Sequence, residues 1–129
     1  MDKILRKKIL IVDDEEEVLS LLSKILQRVN YEIISATTGA KALDLARENV
    51  PDLIILDVIL TDINGTDIAA TLAEDPATKD IPIIFMSGLI MKKGEQAFGQ
   101  KTGKNYIMAK PIIDSQVLEL ISRIFTGNV

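Results

Sequence analysis

The sequence predicts an α/β fold, with a doubly wound parallel sheet of five strands and five helices on its two faces. Two observations predict this class. Short, unbroken apolar runs recur along the chain, and segments with apolar residues at helical spacing lie between them. Strands covered on both faces form continuous apolar runs, and their alternation with helices is typical of a doubly wound sheet.

The apolar runs predict the five strands. They are Ile9–Val12, Ile33–Ala36, Leu53–Leu56, Ile83–Met86 and Tyr106–Ala109. None alternates between apolar and polar residues, as a strand with one solvated face would. We therefore expect the sheet to be buried between two helical layers.

Helical spacing predicts the helices between these strands. The first follows the acidic segment Asp14–Glu17, whose charges suit a helix N-terminus, and its apolar residues repeat from Val18 to Val29. Pro51 and Pro76 follow the second and third predicted helices and set where each of them ends. The predicted helices after the first are Thr38–Glu48, Thr66–Glu74, a fourth between Gly88 and Asn105, and Ser115–Phe125. The fourth contains Gly94, Gly99 and Gly103, so we expect it to be short or frayed.

Length and composition limit the class of protein. The 129 residues suit a single domain, 1–129, with its core at about 7–127. The net charge of −4 gives no basic surface for direct contact with nucleic acid. The absence of cysteine and histidine excludes thiol nucleophiles, imidazole bases and zinc sites. No apolar stretch approaches a membrane span, so we expect a cytoplasmic protein without a membrane partner.

Polar residues follow four of the predicted strands. They are Asp13 and Asp14 after the first strand, Asp57 after the third, Ser87 after the fourth and Lys110 after the fifth. Ligands of doubly wound sheets bind beyond the carboxyl ends of the strands. We therefore expect these side chains to meet at one edge and form the functional site.

The same residues carry a family resemblance. The segments Val12–Glu15, Leu56–Asp57 with Gly65 eight residues later, Met86–Gly88 and Ala109–Pro111 resemble the signatures of response-regulator receiver domains. The match spans nearly the whole chain, and the ordered set of motifs is more specific than any one of them. The resemblance implies a flavodoxin-like sheet with strand order 2-1-3-4-5.

The resemblance also implies the chemistry of a two-component phosphorelay. Asp57 would accept a phosphoryl group from the phosphohistidine of a sensor kinase or phosphotransfer protein. Catalysis of such a transfer is mostly positioning and charge neutralisation. Asp14 and Asp57 would bind Mg²⁺ directly, Asp13 through water, and Ile59 through its backbone carbonyl; Mn²⁺ could replace Mg²⁺.

The remaining roles follow from the same resemblance. Lys110 and Ser87 would contact the phosphoryl oxygens, and the Lys110–Pro111 bond is a candidate for a cis peptide. Phosphorylation would switch the surface presented to a downstream output protein or a fused effector domain, and could drive dimerisation. The chain would therefore be a signalling module and not an enzyme, apart from self-phosphorylation and slow self-dephosphorylation.

The sequence departs from the receiver pattern near the fifth strand. Receivers usually carry an aromatic switch residue three positions before the lysine, where this chain has Ile107, with Tyr106 one position earlier. Either a one-residue bulge brings Tyr106 into that role, or the aromatic switch is absent.

The sequence also departs from the receiver pattern around the acceptor aspartate. Thr61 replaces a common proline, and Ile59 and Leu89 place apolar groups where water could reach the phosphoryl group. We therefore predict slow self-dephosphorylation.

Two other functional classes share this fold. A phosphorylation-independent pseudo-receiver would bind partners as a protein-binding module, although retention of all five polar groups argues against it. An aspartyl phosphatase would need an acid two residues after Asp57, where Ile59 stands. Neither a dinucleotide-binding glycine turn nor a P-loop is present.

Overall fold

A computed structural model of the chain describes residues 6–88, 98–102 and 105–127. Its strands form one sheet with the order β2-β1-β3-β4-β6-β5. The strands are β1 (Lys8–Val12), β2 (Glu32–Ala36), β3 (Leu53–Asp57), β4 (Ile83–Ser87), β5 (Phe98–Thr102) and β6 (Asn105–Ala109). The described helices are α1 (Glu16–Gln27), α2 (Gly39–Asn49), α3 (Gly65–Glu74) and α4 (Asp114–Thr126).

The five predicted strands form a parallel sheet in the predicted order. β1 pairs in parallel with both β2 and β3, β3 pairs with β4, and β4 pairs with β6. Counting only these strands gives the order 2-1-3-4-5, so the predicted fold class is confirmed. Their carboxyl ends lie at one edge of the sheet, which is the edge where the polar residues were expected.

A sixth strand, β5, is an addition that the sequence reasoning missed. It pairs antiparallel with β6 at the sheet border and has a register irregularity between Phe98 and Gln100. The prediction of a helix is therefore wrong for residues 98–102, and the rest of the expected fourth helix, 89–97 and 103–104, lies outside the described residues. Glycine disfavours a helix here, and pairing satisfies backbone groups that β6 would otherwise expose.

Helices cover both faces of the sheet, and each face has its own apolar cluster. On one face, Ile9 and Ile11 of β1 pack with residues of α1 and α4. On the other face, Leu10 and Val12 pack with residues of α2 and α3. Successive residues of β1 thus enter opposite clusters, which explains why the strand is apolar throughout.

Gly65 allows α3 to begin directly beside the end of β3. A Cβ atom at this position would lie 2.5 Å from the backbone oxygen of Asp57 and 2.9 Å from the Cα of Val58. The Gly65 N–H donates to the Val58 carbonyl at 2.8 Å. Only glycine fits this approach, which fixes where the segment after Asp57 returns to the sheet.

None of the helices described within residues 6–88 and 105–127 has the length and apolar character needed to cross a membrane.

Candidate functional site

Three carboxylates converge at the carboxyl edge of the sheet. Asp13 and Asp14 follow β1, and Asp57 is the last residue of β3, the strand that pairs with β1. Each residue offers a carboxylate oxygen, and these oxygens all lie within 4.8 Å of one another. Parallel pairing of the two strands therefore produces the acidic cluster that the sequence predicts.

Asp13 is the most deeply buried member of the cluster. Its side chain is inaccessible to solvent, and its Oδ1 accepts a hydrogen bond from the Glu15 N–H at 2.9 Å. Lys110 Nζ lies 2.8 Å from Asp13 Oδ2, but Oδ2 has no hydrogen-bond partner of acceptable geometry among the described residues. The pair is thus a close ion pair that leaves a buried oxygen incompletely satisfied.

Lys110 places one ammonium group among several carboxylates. Its backbone N–H donates to the Ser87 carbonyl at 2.9 Å, which fixes it beside the end of β4. Its Nζ lies 3.2 Å from Asp57 Oδ2 and 3.6 Å from Glu15 Oε1. Burial lowers the pKa of Lys110, but the adjacent Asp13 and Asp57 carboxylates outweigh burial and raise it above the usual lysine value. The ammonium therefore remains charged.

Asp57 is nearly buried, with 7% of its surface exposed. Its Oδ1 accepts a hydrogen bond from the Ile59 N–H at 3.2 Å. Burial raises the pKa of Asp57, and the charge of Asp13 adds to the rise, while the Ile59 N–H and Lys110 oppose it. The ionised carboxylate is therefore less stable here than in water, and a further cation would stabilise it.

The donor set fits a hard divalent cation. Asp13, Asp14 and Asp57 present only oxygen atoms, and Lys110 supplies one positive charge against their three negative charges. Among the described residues, the buried Oδ2 of Asp13 has the Lys110 ammonium beside it but no hydrogen bond of acceptable geometry, so it can also accept from a metal-bound water. Magnesium binds oxygen ligands and keeps part of its water shell, so it suits a site at the carboxyl edge of the sheet.

The other predicted site residues lie on the two neighbouring strands. Ser87 ends β4 and pairs with Ala109 of β6, next to Lys110. The Lys110–Pro111 peptide bond is cis, the isomer that the resemblance implies. Ile59 lies in the loop after β3, two residues beyond Asp57, and is 57% exposed. The structure thus brings Ser87, Lys110, Ile59 and the three aspartates to one edge.

In β6, Ile107 occupies the position three residues before Lys110, where receivers usually carry an aromatic residue. β6 pairs with β4 in unbroken register, with Tyr106 opposite Ile84 and Ile107 opposite Phe85. Tyr106 is 6% exposed and packs in the cluster of α1 and α4. No bulge in β6 therefore shifts Tyr106 into the position three residues before Lys110, and the irregularity near this strand lies in β5.

Two acidic residues near the site were missed by the sequence reasoning. Glu15 approaches Lys110, although the sequence indicates only an acidic helix start. Asp62, in the loop between β3 and α3, accepts hydrogen bonds from the backbone of α2 at Gly39 and Ala40. These two N–H groups lower the pKa of Asp62 below the usual aspartate value. Contacts between distant segments leave no local sequence signal, which is why Asp62 escaped detection.

Comparisons with known proteins agree with this geometry. The family described as "Response regulator receiver domain" matches residues 9–122. The Polar-differentiation response regulator DivK of Brucella ovis is 35% identical over 115 residues, covering 89% of this chain and 93% of DivK.

Solved structures give the same result. The chemotaxis protein CheY4 of Vibrio cholerae superposes with a TM-score of 0.80 at 26% identity, covering 93% of this chain and 99% of CheY4. The receiver domain of the hybrid histidine kinase CckA superposes with a TM-score of 0.75 at 28% identity, covering 91% and 97% of the two chains. Fold, acidic cluster and sequence match therefore agree, and the chain belongs to the response regulator receiver domain family.

Proposed function

We propose that this receiver accepts a phosphoryl group on Asp57 in a reaction that requires Mg²⁺. One observation carries the proposal: the carboxylates of Asp13, Asp14 and Asp57 lie within 4.8 Å of one another, beside the ammonium of Lys110. Receiver domains are signalling modules of two-component systems and not classical enzymes. We further propose that the donor is a phosphohistidine on a sensor kinase or a phosphotransfer protein.

The metal ligands would come from the acidic cluster and the adjoining loop. Receiver domains bind Mg²⁺ at an acidic pocket, and this chain has such a cluster. We assign Asp14 and Asp57 to direct contact, Asp13 to contact through water, and the backbone carbonyl of Ile59 to a further ligand. When bound, Mg²⁺, or Mn²⁺ in its place, would neutralise charge on the phosphoryl oxygens.

The nucleophile of the transfer would be the carboxylate of Asp57. An oxygen of Asp57 attacks phosphorus, the bond between phosphorus and the donor nitrogen breaks, and an acyl phosphate forms. The donor imidazole, which carries a proton on its other ring nitrogen, leaves as neutral imidazole with the electron pair of that bond. Because the donor supplies the histidine, its absence from this chain is no obstacle.

Lys110 and Ser87 would distinguish the phosphorylated site from the free one. The Lys110 ammonium, which lies 3.2 Å from Asp57 Oδ2, would pair with a phosphoryl oxygen. The hydroxyl of Ser87 would donate to another. A ligand biases two conformations only by its differential affinity for them, so these contacts would drive the switch.

The switch would act on a partner-binding surface near the end of β4. Movement of Ser87 would displace the segment that follows it, although residues 89–97 lie outside the described part of the chain. Receiver domains interact with kinases, phosphotransfer proteins and effectors. Several properties stay predictions. They are the output protein or fused effector domain, an activation-dependent dimer, a cytoplasmic location, and a single domain with its core at 7–127.

We predict slow loss of the phosphoryl group, because an apolar side chain, Ile59, follows Asp57 two residues later. The Ile59 side chain is two residues from the acceptor and largely exposed, where it would hinder an attacking water molecule. We predict that Ile59→Asn shortens the lifetime of the acyl phosphate by several fold, because an amide can orient water. Decay is measured by intact mass after removal of the donor; an unchanged lifetime in Ile59→Asn would contradict the assigned role.

Intact mass after incubation with acetyl phosphate tests the proposed function. The native chain should gain one phosphoryl group when Mg²⁺ is present and none when it is chelated. Asp57→Asn should gain none in either condition. The family match and the relatives do not favour a pseudo-receiver. A native chain that forms no adduct with Mg²⁺ would nevertheless overturn the proposal, and repeated turnover of the donor would indicate a phosphatase.

A further inference from the structure

The loop between β3 and α3 is attached to the start of a different helix. Asp62 lies in this loop, and its Oδ1 accepts a hydrogen bond from the Gly39 N–H at 2.8 Å. Its Oδ2 accepts a second from the Ala40 N–H at 3.1 Å. Gly39 and Ala40 are the first two residues of α2, whose N–H groups have no acceptor within the helix. Asp62 therefore caps α2 from a distant segment.

Close packing reinforces this attachment. A Cβ atom at Gly39 would lie 2.8 Å from Ile68 Cδ1 and 3.0 Å from Ile63 Cβ. It would also lie 3.3 Å from Asp62 Oδ1. Glycine at the start of α2 thus lets the loop and α3 approach the helix backbone, at the point where the carboxylate of Asp62 receives its hydrogen bonds.

The attached loop begins at the proposed phosphorylation site. Val58 and Ile59 follow Asp57 directly, and the Ile59 N–H donates to Asp57 Oδ1 at 3.2 Å. The loop ends where the Gly65 N–H donates to the Val58 carbonyl at 2.8 Å. Asp62 stands between these two points, so its attachment to α2 restricts the path of the backbone that includes Ile59.

We propose that Asp62 is a positioning residue that holds the loop 58–64 against α2, so that the Ile59 carbonyl and the Asp57 carboxylate face the same cation. The inference rests on the proposed function. Asp62 does not contact the cation; it acts through the backbone of the loop. Loss of the attachment lowers the fraction of molecules whose loop is ready to bind, and apparent affinity falls in proportion.

The same helix end provides a matched control. Thr38 Oγ1 accepts a hydrogen bond from the Lys41 N–H at 3.2 Å and is the local cap of α2. Thr38→Ala removes a cap of the same helix without touching the loop after β3. Asp62→Asn is an intermediate variant, because its single amide oxygen can accept from one of the two N–H groups, whereas its NH2 group only donates and cannot accept from the other.

Magnesium affinity, measured by isothermal titration calorimetry, tests the proposal. Asp62→Ala should raise the dissociation constant for Mg²⁺ about fivefold, the factor expected from loss of a cap. Thr38→Ala should stay within about twofold of the native chain, and Asp62→Asn, which keeps one of the two acceptors, should lie between the native chain and Asp62→Ala. Hydrogen exchange of the Gly39 and Ala40 amides should accelerate in Asp62→Ala, which reports the attachment without any metal. Asp62→Ser, with one shorter acceptor, replaces Asp62→Ala if that variant fails to fold.

Each failure has a distinct signature. If Asp62→Ala binds Mg²⁺ as tightly as Thr38→Ala does, Asp62 is a helix cap only, and the inference is wrong. If Asp62→Ala weakens binding while hydrogen exchange of the Gly39 and Ala40 amides keeps its native rate, the effect is one of charge and not of position, which also overturns it. If the native chain itself binds no Mg²⁺ and forms no phosphoryl adduct, the proposed function fails first.

Discussion

Lys110 offsets the charge of the acidic cluster in the metal-free protein. Its Nζ lies 2.8 Å from Asp13 Oδ2, and Asp13 is fully buried. We predict that Lys110→Met lowers the free energy of unfolding by about 3 kcal/mol in the absence of divalent cations, because it leaves a buried carboxylate unpaired. Urea unfolding followed by circular dichroism measures this, and Mg²⁺ should restore part of the loss. Lys24→Met, at an exposed lysine of α1, is the control.

The same pair predicts a pH dependence. The pKa of Lys110 is raised in the folded state by Asp13 and Asp57, against the opposing effect of burial. A raised pKa gives stability that is fully present below the unfolded lysine value of about 10.4 and is lost as pH rises through the folded value. The difference in Tm between the native chain and Lys110→Met should therefore shrink as the pH rises through the folded pKa of Lys110. A difference that stays constant to high pH would contradict the assigned ion pair.

Asp57 has the opposite effect on stability before metal binds. Burial raises its pKa, and the nearby Asp13 adds repulsion. Asp57→Asn should therefore raise the Tm of the metal-free protein by roughly 3 °C. Saturating Mg²⁺ should raise the Tm of the native chain more than that of Asp57→Asn, since the variant loses a ligand. Equal shifts with Mg²⁺ in both proteins would argue against Asp57 as a metal ligand.

At the scale of the elements, the turn from α2 to β3 contains a strained residue. Val50 ends α2 in the left-handed region, at φ 43° and ψ 68°, and its side chain is about half exposed. A β-branched residue is unfavourable there, whereas asparagine and glycine adopt this conformation readily. Val50→Asn should increase the free energy of unfolding by about 0.5 to 1 kcal/mol. Chemical denaturation measures this, and a decrease would show that Val50 packing outweighs the strain.

The elements were predictable where local pattern decides them. The acidic start of α1 and the proline after α2 place two helix ends within a few residues of those observed. β5 was not predictable in the same way, because its sequence, with Gly99 followed by three polar residues, has no apolar run and forms a strand by pairing with β6. A strand that depends on its neighbour for hydrogen bonds has no periodicity of its own to detect.

At the scale of the whole molecule, strand order brings separate motifs into one site. Asp13 and Asp57 are distant in sequence, yet their strands are neighbours because β1 lies between β2 and β3. Ser87 and Lys110 meet in the same way through the pairing of β4 with β6. The site was predictable because each residue follows an apolar run. Asp62 was not, because its partners Gly39 and Ala40 are reached only through loop packing.

Borohydride mapping locates the phosphoryl group on the chain and so tests whether Asp57 is the acceptor. Borohydride reduces an aspartyl phosphate to homoserine, which peptide mass spectrometry then locates in the sequence. After acetyl phosphate and Mg²⁺, we expect homoserine at position 57 in the native chain and none at positions 13 or 14. Homoserine at Asp13 or Asp14, or equal labelling of position 57 without Mg²⁺, would contradict it.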